Sequence, residues 1–318
     1  MKIVVTGAAG FIGSHLCEKL LEDEQNIVIG IDGFIGPTPI HLKSFNMDSL
    51  CSHPRFTMLA QDLFMIDLEA LLKDVDIIYH LAGMPGVRTS WGKEFEAYIL
   101  HNISSTQRLL EACKNSPIKQ FIYASTSSVY GEKTGKLSET AETAPLSPYG
   151  ITKLTGEHLC RVYHTSFGIP TVVLRYFTVY GPRQRPDMSF HRFIKQLLTK
   201  QPITIFGDGM QSRDFTYISD CIAGTISVLG KRHIIGKTFN IGGKEKASIN
   251  EVIDLLEELT GIKADRHYFP SALGEPKHTW ADLSMAEQDL HYSPKITLKE
   301  GLRREIEYIR SIYQVDLP

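Results

Sequence analysis

Through its first half the chain alternates short, wholly apolar runs with longer stretches whose apolar residues recur every three or four positions. Segments 3–6, 27–31, 56–60, 76–80, 120–125 and 171–175 are rich in β-branched and aromatic residues without polar alternation. That is the pattern of strands covered on both faces in a parallel sheet. Segments 11–21, 68–72, 94–114 and 148–167 carry helical spacing. Strand, helix and strand in repetition predict a doubly wound α/β sheet with right-handed crossovers. Pro148 suits the first turn of the last of these helices, where a missing N–H is no loss.

Beyond Tyr176 the alternation breaks. Short strands mix with helices, one of them opening at Ser248-Ile-Asn-Glu251, a reciprocal capping pattern, and 298–313 regains helical spacing. The expected organisation is a sheet-forming unit over 1–176 and a smaller C-terminal substrate lobe over 177–318, with some of its chain returning to the main sheet.

Composition narrows the class. Hydrophobic residues at 42% and charged residues at 22% exclude a disordered chain. The net charge of −2, with Lys and Arg scattered, lacks the basic stripe that nucleic-acid binding requires. No apolar run approaches the ~18 residues of a membrane-spanning helix. Cys17, Cys51, Cys113, Cys160 and Cys221 lie far apart without a C-x-x-C pair, which reads as buried thiols in a reducing compartment, with no disulfide frame and no zinc site. Met1 runs straight into the first apolar segment with no leader pattern, so a cytoplasmic location is expected.

Gly7-Ala-Ala-Gly10-Phe11-Ile12-Gly13 joins the first strand to the first helix. Glycines there allow a tight turn and let backbone N–H groups approach a pyrophosphate at a helix N-terminus, where the partial positive charge favours an anion. Asp32 ends the second strand, at the distance expected of a carboxylate that holds the adenosine ribose. A solvated turn aspartate is the rival reading. The next basic residue is Lys43, so no adjacent arginine offers a 2′-phosphate site, and NAD is expected over NADP.

Tyr149-Gly-Ile-Thr-Lys153 sets a phenol and an ammonium one helical turn apart. A free tyrosine, with a pKa of about 10, is a poor base at neutral pH. A neighbouring ammonium and a positive nicotinamide ring favour the phenolate, which then takes an alcohol proton as hydride leaves the same carbon. Ala124-Ser-Thr126-Ser127-Ser128-Val-Tyr-Gly131 supplies hydroxyls at the end of the fifth strand, where open-sheet sites form. Such hydroxyls also cap backbone groups in ordinary turns.

The spacing Gly-x-x-Gly-x-x-Gly, with Tyr149 and Lys153, resembles the extended branch of the short-chain dehydrogenase/reductase superfamily. The resemblance implies a Rossmann sheet and cofactor contacts from Asp62, Leu63, Leu81, Ala82 and Gly83. It also implies a catalytic triad of Thr126, Tyr149 and Lys153, the last two also touching the cofactor. Segments 175–186 and 206–217 are similar to the nucleotide-sugar epimerases and dehydratases of that superfamily, so the likeness runs nearly the full length. It implies tightly bound NAD regenerated in each cycle, a UDP-sugar substrate, and a homodimer built on segments 94–114 and 148–167. Phe206 would stack on the base and Arg213 pair with a phosphate. Their rival readings are ordinary core and a surface ion pair.

Within that family, dehydratases carry an Asp-Glu pair after the catalytic hydroxyl, where this chain has Ser127 and Ser128. Decarboxylases carry an acid near that turn and an Asn where this chain has Thr178. Phe177-Thr178-Val-Tyr-Gly-Pro followed by Arg185-Pro-Asp-Met resembles the UDP-glucuronic acid 4-epimerases, which act through a transient 4-keto sugar. Ser127, Ser128 and Thr178, with Arg185 or Arg88, are then the expected grip on the sugar carboxylate. Thr178 packing beside the cofactor is the rival. Three alternatives stand beside this reading: a UDP-glucose or UDP-N-acetylglucosamine 4-epimerase, a UDP-glucuronate decarboxylase, and a non-catalytic NAD-binding regulator. The intact Tyr149–Lys153 pair speaks against the last.

Overall fold

A computed structural model describes residues 1–315. Seven parallel strands form the main sheet: β1 (Lys2–Thr6), β2 (Ile27–Ile31), β3 (Phe56–Leu59), β4 (Ile77–His80), β5 (Gln120–Thr126), β6 (Thr171–Tyr176) and, after further elements, β10 (Thr238–Ile241). Their order across the sheet is β10-β6-β5-β4-β1-β2-β3. The direction of winding therefore reverses between β1 and β4, and ligand crevices open outside the carboxyl ends of the strands at such a point. The chain does return to the main sheet from the C-terminal half, through β10 beside β6.

Both faces of this sheet are dry, which explains the missing polar alternation. Ile3, Val5, Ile122, Val172 and Leu174 point into one core layer, under helices Phe11–Leu21, Ile40–Cys51 and Ile218–Ile226. Val4, Ile78, Phe121, Tyr123 and Val173 point into the other, under Leu68–Leu71, Ser105–Cys113 and Pro148–Phe167.

The helix Ile40–Cys51 has no counterpart in the sequence reading. Its inward residues are Lys43, Asn46, Met47 and Leu50, so half of the buried stripe is polar and the apolar period is lost. The expected continuous helix over 94–114 is also not observed. A 3₁₀ turn (Gly92–Glu94) and the short helix Phe95–Tyr98 lead into a π-helical stretch, Ile99–Ser104, before α-helix resumes at Ser105. A π-turn inserts an extra residue per turn and re-aims the side chains that follow it.

The lobe beyond β6 adds β7 (Thr178–Tyr180), β8 (Ile203–Phe206), β9 (Ser212–Tyr217), β11 (Glu245–Ser248) and β12 (Arg266–Phe269). They form a three-stranded sheet, β11-β9-β7, and a parallel pair, β12-β8. The capping box at Ser248 and Glu251 closes the start of helix Ile249–Thr260 as the sequence indicates. Among the described residues no helix is long and apolar enough to cross a membrane, and no cluster of His, Cys, Asp or Glu is arranged to hold a metal.

Candidate active site

A cavity of about 700 Å³ opens at the carboxyl edge of the sheet and runs into the small lobe. Every residue singled out in the sequence for cofactor, catalysis or substrate lines it.

At its inner end, Gly7 has φ +73, and a Cβ there would lie 2.9 Å from the Ala82 nitrogen. A Cβ on Gly13 would lie 2.1 Å from the Gly7 carbonyl oxygen, so helix Phe11–Leu21 can sit this close to the loop only without side chains. Gly10 starts that helix with no side-chain cap, leaving its first-turn N–H groups to the cavity. This cradle fits the pyrophosphate of NAD. Asp62 caps the turn Leu63–Met65 through the Phe64 N–H at 3.0 Å. The turn Leu81–Gly83 is tied back by the Ala82 N–H to Thr6 Oγ1 at 3.1 Å. Thr6 in turn meets His80 Nδ1 at 2.8 Å, while His80 Nε2 meets Thr106 Oγ1 at 2.9 Å. Burial, together with the charge of Lys153, brings His80 down to about 3, so it is a neutral strut.

Asp32 is not a free carboxylate. Its Oδ1 accepts from Lys43 Nζ at 2.9 Å and from the Phe34 N–H at 2.7 Å, and its Oδ2 accepts from the Ala9 N–H at 3.1 Å. No arginine stands beside Asp32, but Lys43, the next basic residue along the chain, does. A turn through Phe34 (φ 54) and Gly36 (φ 102) folds helix Ile40–Cys51 back, so the next lysine along the chain becomes the neighbour of Asp32.

The catalytic candidates meet at the centre. Thr126 ends β5 and accepts from the Ser128 N–H at 3.2 Å, opening the 3₁₀ turn Ser127–Val129. Ser147 caps helix Pro148–Phe167 through the Gly150 N–H at 3.1 Å, placing Tyr149 in its first turn. Burial lifts the Tyr149 phenol above its ordinary range, while a hydrogen bond with Thr126 and the charge of Arg185 pull it back. The Lys153 ammonium donates to the Ala124 carbonyl at 2.7 Å, and burial brings it down to about 8. Behind them a dry triad locks the strands to the helix: Glu157 accepts two bonds from Arg175, at 2.9 and 2.7 Å, and one from Ser125.

Toward the small lobe, Arg185 forms a two-bond fork with Asp187. Ser127, Ser128 and Thr178 line the same cavity. Arg88 does not join Arg185. Its guanidinium lies 4.3 Å from the centre of the Phe206 ring and pairs with Glu275 at 2.7 Å. Arg213 pairs with the other oxygen of Glu275 at 3.6 Å and donates to the Ser212 and Lys277 carbonyls. Phe206, Arg88 and Arg213 thus form one cationic, aromatic end of the cavity, with Arg192 5.6 Å from the same ring. Arg213 is both an ion-pair member and a cavity wall, and Phe206 is a half-buried cavity wall.

Sequence reading missed Asn102, Lys43, Asp187, Arg192 and Glu275. Asn102 sits in the π-helical stretch and clamps the loop after β4, accepting from the Met84 N–H at 2.6 Å and donating to the Met84 carbonyl at 3.0 Å and to Thr152 at 2.9 Å. Asn102 and Glu275 act across long sequence gaps, so nothing local marks them.

Comparison with known proteins agrees with this geometry. A sequence model described as the NAD dependent epimerase/dehydratase family matches residues 3–242. The chain is 61% identical over 314 residues to a Bacillus subtilis (strain 168) protein named as an uncharacterised UDP-glucose epimerase, covering 99% of each. It is 40% identical over 310 residues to the UDP-glucuronate 4-epimerase of Thermodesulfobacterium geofontis (strain OPF15), covering 96% of this chain and 95% of that one. Among solved structures, the UDP-glucuronic acid 4-epimerase of Bacillus cereus in complex with UDP-glucuronic acid and NAD superposes with a TM-score of 0.98 at 58% identity. That match covers 98% of this chain and 100% of that one.

Proposed function

This chain belongs to the NAD dependent epimerase/dehydratase family, and from that membership we infer that it interconverts UDP-glucuronic acid and UDP-galacturonic acid at C4. One observation carries the choice of sugar. Beside Tyr149 the cavity offers the hydroxyls of Thr126, Ser127, Ser128 and Thr178 and the cation of Arg185, and the turn after Thr126 holds no carboxylate. A second acid there would serve elimination or decarboxylation.

The residues divide the work. Residues 1–176 cradle the cofactor, with the glycine loop on the pyrophosphate and Asp32 on the adenosine ribose. The lobe beyond takes the uridine diphosphate, with Phe206 against the base and Arg88 and Arg213 toward the phosphates. When bound, NAD supplies the redox chemistry, taking the hydride from C4 and giving it back. Tyr149, as phenolate, removes the proton of the C4 hydroxyl while Thr126 holds that oxygen by hydrogen bonding. Once the 4-keto sugar has turned over, so that the opposite face of C4 meets the hydride donor, Tyr149 returns the proton to the C4 oxygen. A 4-ketone makes the C5 carboxylate a β-keto acid that is prone to lose carbon dioxide. Thr178 and Arg185 hold that carboxylate with its breaking bond out of line with the carbonyl π system. Arg185 also lowers the phenol of Tyr149 toward its working range.

The pairing of Arg185 with Asp187 favours a second reading, in which the fork stays on Asp187 and the neutral UDP-glucose is the substrate. Proton NMR of the purified protein with each sugar nucleotide separates the two. Accumulation of UDP-galacturonic acid while UDP-glucose stays unchanged supports the uronate reading. Turnover of UDP-glucose alone overturns it.

The assembly that fits the surface is a homodimer. Ile151 and Val162 are about half exposed on helix Pro148–Phe167, and Ile99 and Leu100 stand out from the π-helical stretch that packs against it. Their burial against a second copy removes an apolar face from water. The described cysteines are all free, in keeping with a reducing cytoplasm, and four are buried as expected, while Cys51 at the end of helix Ile40–Cys51 is exposed.

A further inference from the structure

The turn that carries Arg185 is pinned from two sides. On one side the Gln184 amide donates to the Val179 carbonyl at 3.0 Å and accepts from the His191 N–H at 3.0 Å, which fixes the turn to helix Ser189–Leu198. On the other side two bonds cross to helix Phe11–Leu21, the helix that starts at the glycine loop. His15 Nε2 donates to the Pro182 carbonyl at 3.0 Å, and Arg183 Nη2 donates to Glu18 Oε1 at 2.7 Å. Burial, with the charge of Arg183 added, brings His15 down to about 4, so its ring is neutral at pH 7. Glu18 is itself steadied by Ser49, whose hydroxyl donates to the same oxygen at 3.1 Å.

This arrangement costs stability. Arg183 has φ 70, the left-handed region that residues with a Cβ rarely adopt, and its Nη1 is buried without a hydrogen-bond partner. Strain of this kind persists only where the surroundings over-determine it, and it gathers at ligand clamps. Two residues on, Arg185 lines the cavity. We propose that Glu18, Arg183 and His15 are positioning residues that act through Arg185, which rests on Arg185 holding the sugar carboxylate. The helix that opens on the pyrophosphate cradle then also sets where that carboxylate is held. Epimerisation needs C4 set against the cofactor while the carboxylate is kept out of line with the C4 carbonyl. Both placements are referred to one helix, so neither drifts relative to the other.

The test is steady-state kinetics of the full-length chain with UDP-glucuronic acid, on the unaltered background and on Arg185→Ala. Arg183→Asn tolerates the left-handed backbone but is too short to reach Glu18. Glu18→Ala removes the partner from a part-exposed helix position, so one route stays open if the other variant does not fold. On the unaltered background each lowers kcat/KM on the order of 10-fold, within the cost of a misplaced positioning group. Equilibrium dialysis finds NAD binding retained. The double variant is no worse than either single one, because both remove the same contact. On Arg185→Ala neither substitution adds a further loss, whereas a merely structural role would add one. Equal losses on both backgrounds overturn the proposal, as does a double variant whose loss is the product of the single ones. Turnover that both variants leave unchanged overturns this proposal alone. No turnover of UDP-glucuronic acid by the unaltered chain overturns the uronate reading together with it.

Discussion

Arg185 holds Asp187 in a two-bond fork, Nε to Oδ1 at 3.0 Å and Nη2 to Oδ2 at 2.9 Å. Burial alone would raise the Asp187 carboxyl, but the guanidinium outweighs it and holds the group ionised below its ordinary range. Two of the five guanidinium protons are turned away, and Nη1 remains for a substrate carboxylate. Replacing Arg185 by Ala should lower kcat/KM for UDP-glucuronic acid on the order of 100-fold, the cost of a lost charge-assisted bond. A neutral UDP-sugar should lose far less. Equal losses with both substrates would assign Arg185 to the scaffold.

In the proposed mechanism Tyr149 moves the C4 proton. Tyr149→Phe should cut kcat by about 10²- to 10⁴-fold, the usual worth of a general acid–base group. Equilibrium dialysis should find NAD and UDP-sugar binding retained. Turnover within a few-fold of the unaltered chain would remove Tyr149 from the mechanism.

Lys153 is buried as a cation at neutral pH, and burial brings it down to about 8. Its folded pKa lies below the unfolded value, so between about pH 8 and 10.5 the unfolded chain holds the extra proton, and stability from this group rises with pH. Below that window the buried charge costs stability. Lys153→Met should therefore unfold at higher urea than the unaltered chain at pH 7, with the gap narrowing toward pH 10, while turnover is lost. A gap independent of pH would mean that Lys153 does not titrate in this range.

His80 gives a dependence of the same sign, on the acid side. It is neutral when folded and about 3 in pKa against the ordinary 6.5. Its contribution is complete above pH 6.5 and is lost as pH falls toward 3, because only the unfolded imidazole takes up the proton. Urea unfolding of the unaltered chain and of His80→Gln between pH 7 and 4 should show their stability difference shrinking with acid. Parallel curves would contradict the buried neutral state.

Asn102 joins the Met84 loop to the catalytic helix by three hydrogen bonds. Asn102→Leu should destabilise the fold by about 2–3 kcal/mol through unpaired buried groups. It should also weaken NAD binding, because the Leu81–Gly83 turn leads into that loop. Unchanged NAD affinity in a calorimetric titration would confine Asn102 to a packing role.

Much of the molecule was legible because the signals are local. The strands β1 to β6 show as apolar runs, since a sheet buried on both faces needs no alternation, and helix Pro148–Phe167 shows through Ser147, Pro148 and its spacing. Helix Ile40–Cys51 was illegible because Lys43 and Asn46 occupy inward positions that an amphipathic pattern assigns to apolar residues. The segment 94–114 read as one helix because a π-turn leaves no mark in composition, only a shifted phase.

By itself the sequence determined the doubly wound sheet, the glycine loop and the Tyr149–Lys153 pair, since each depends on covalent spacing within a few residues. Tertiary structure decided which charges meet. Lys43 reaches Asp32 through a reversed turn, Glu275 joins Arg88 to Arg213 from the far lobe, and Arg185 adds a cation that lowers the Tyr149 phenol. Electrostatic partnership depends on distance and burial in space, and a chain that folds across 187 positions to pair Arg88 with Glu275 carries no local record of either.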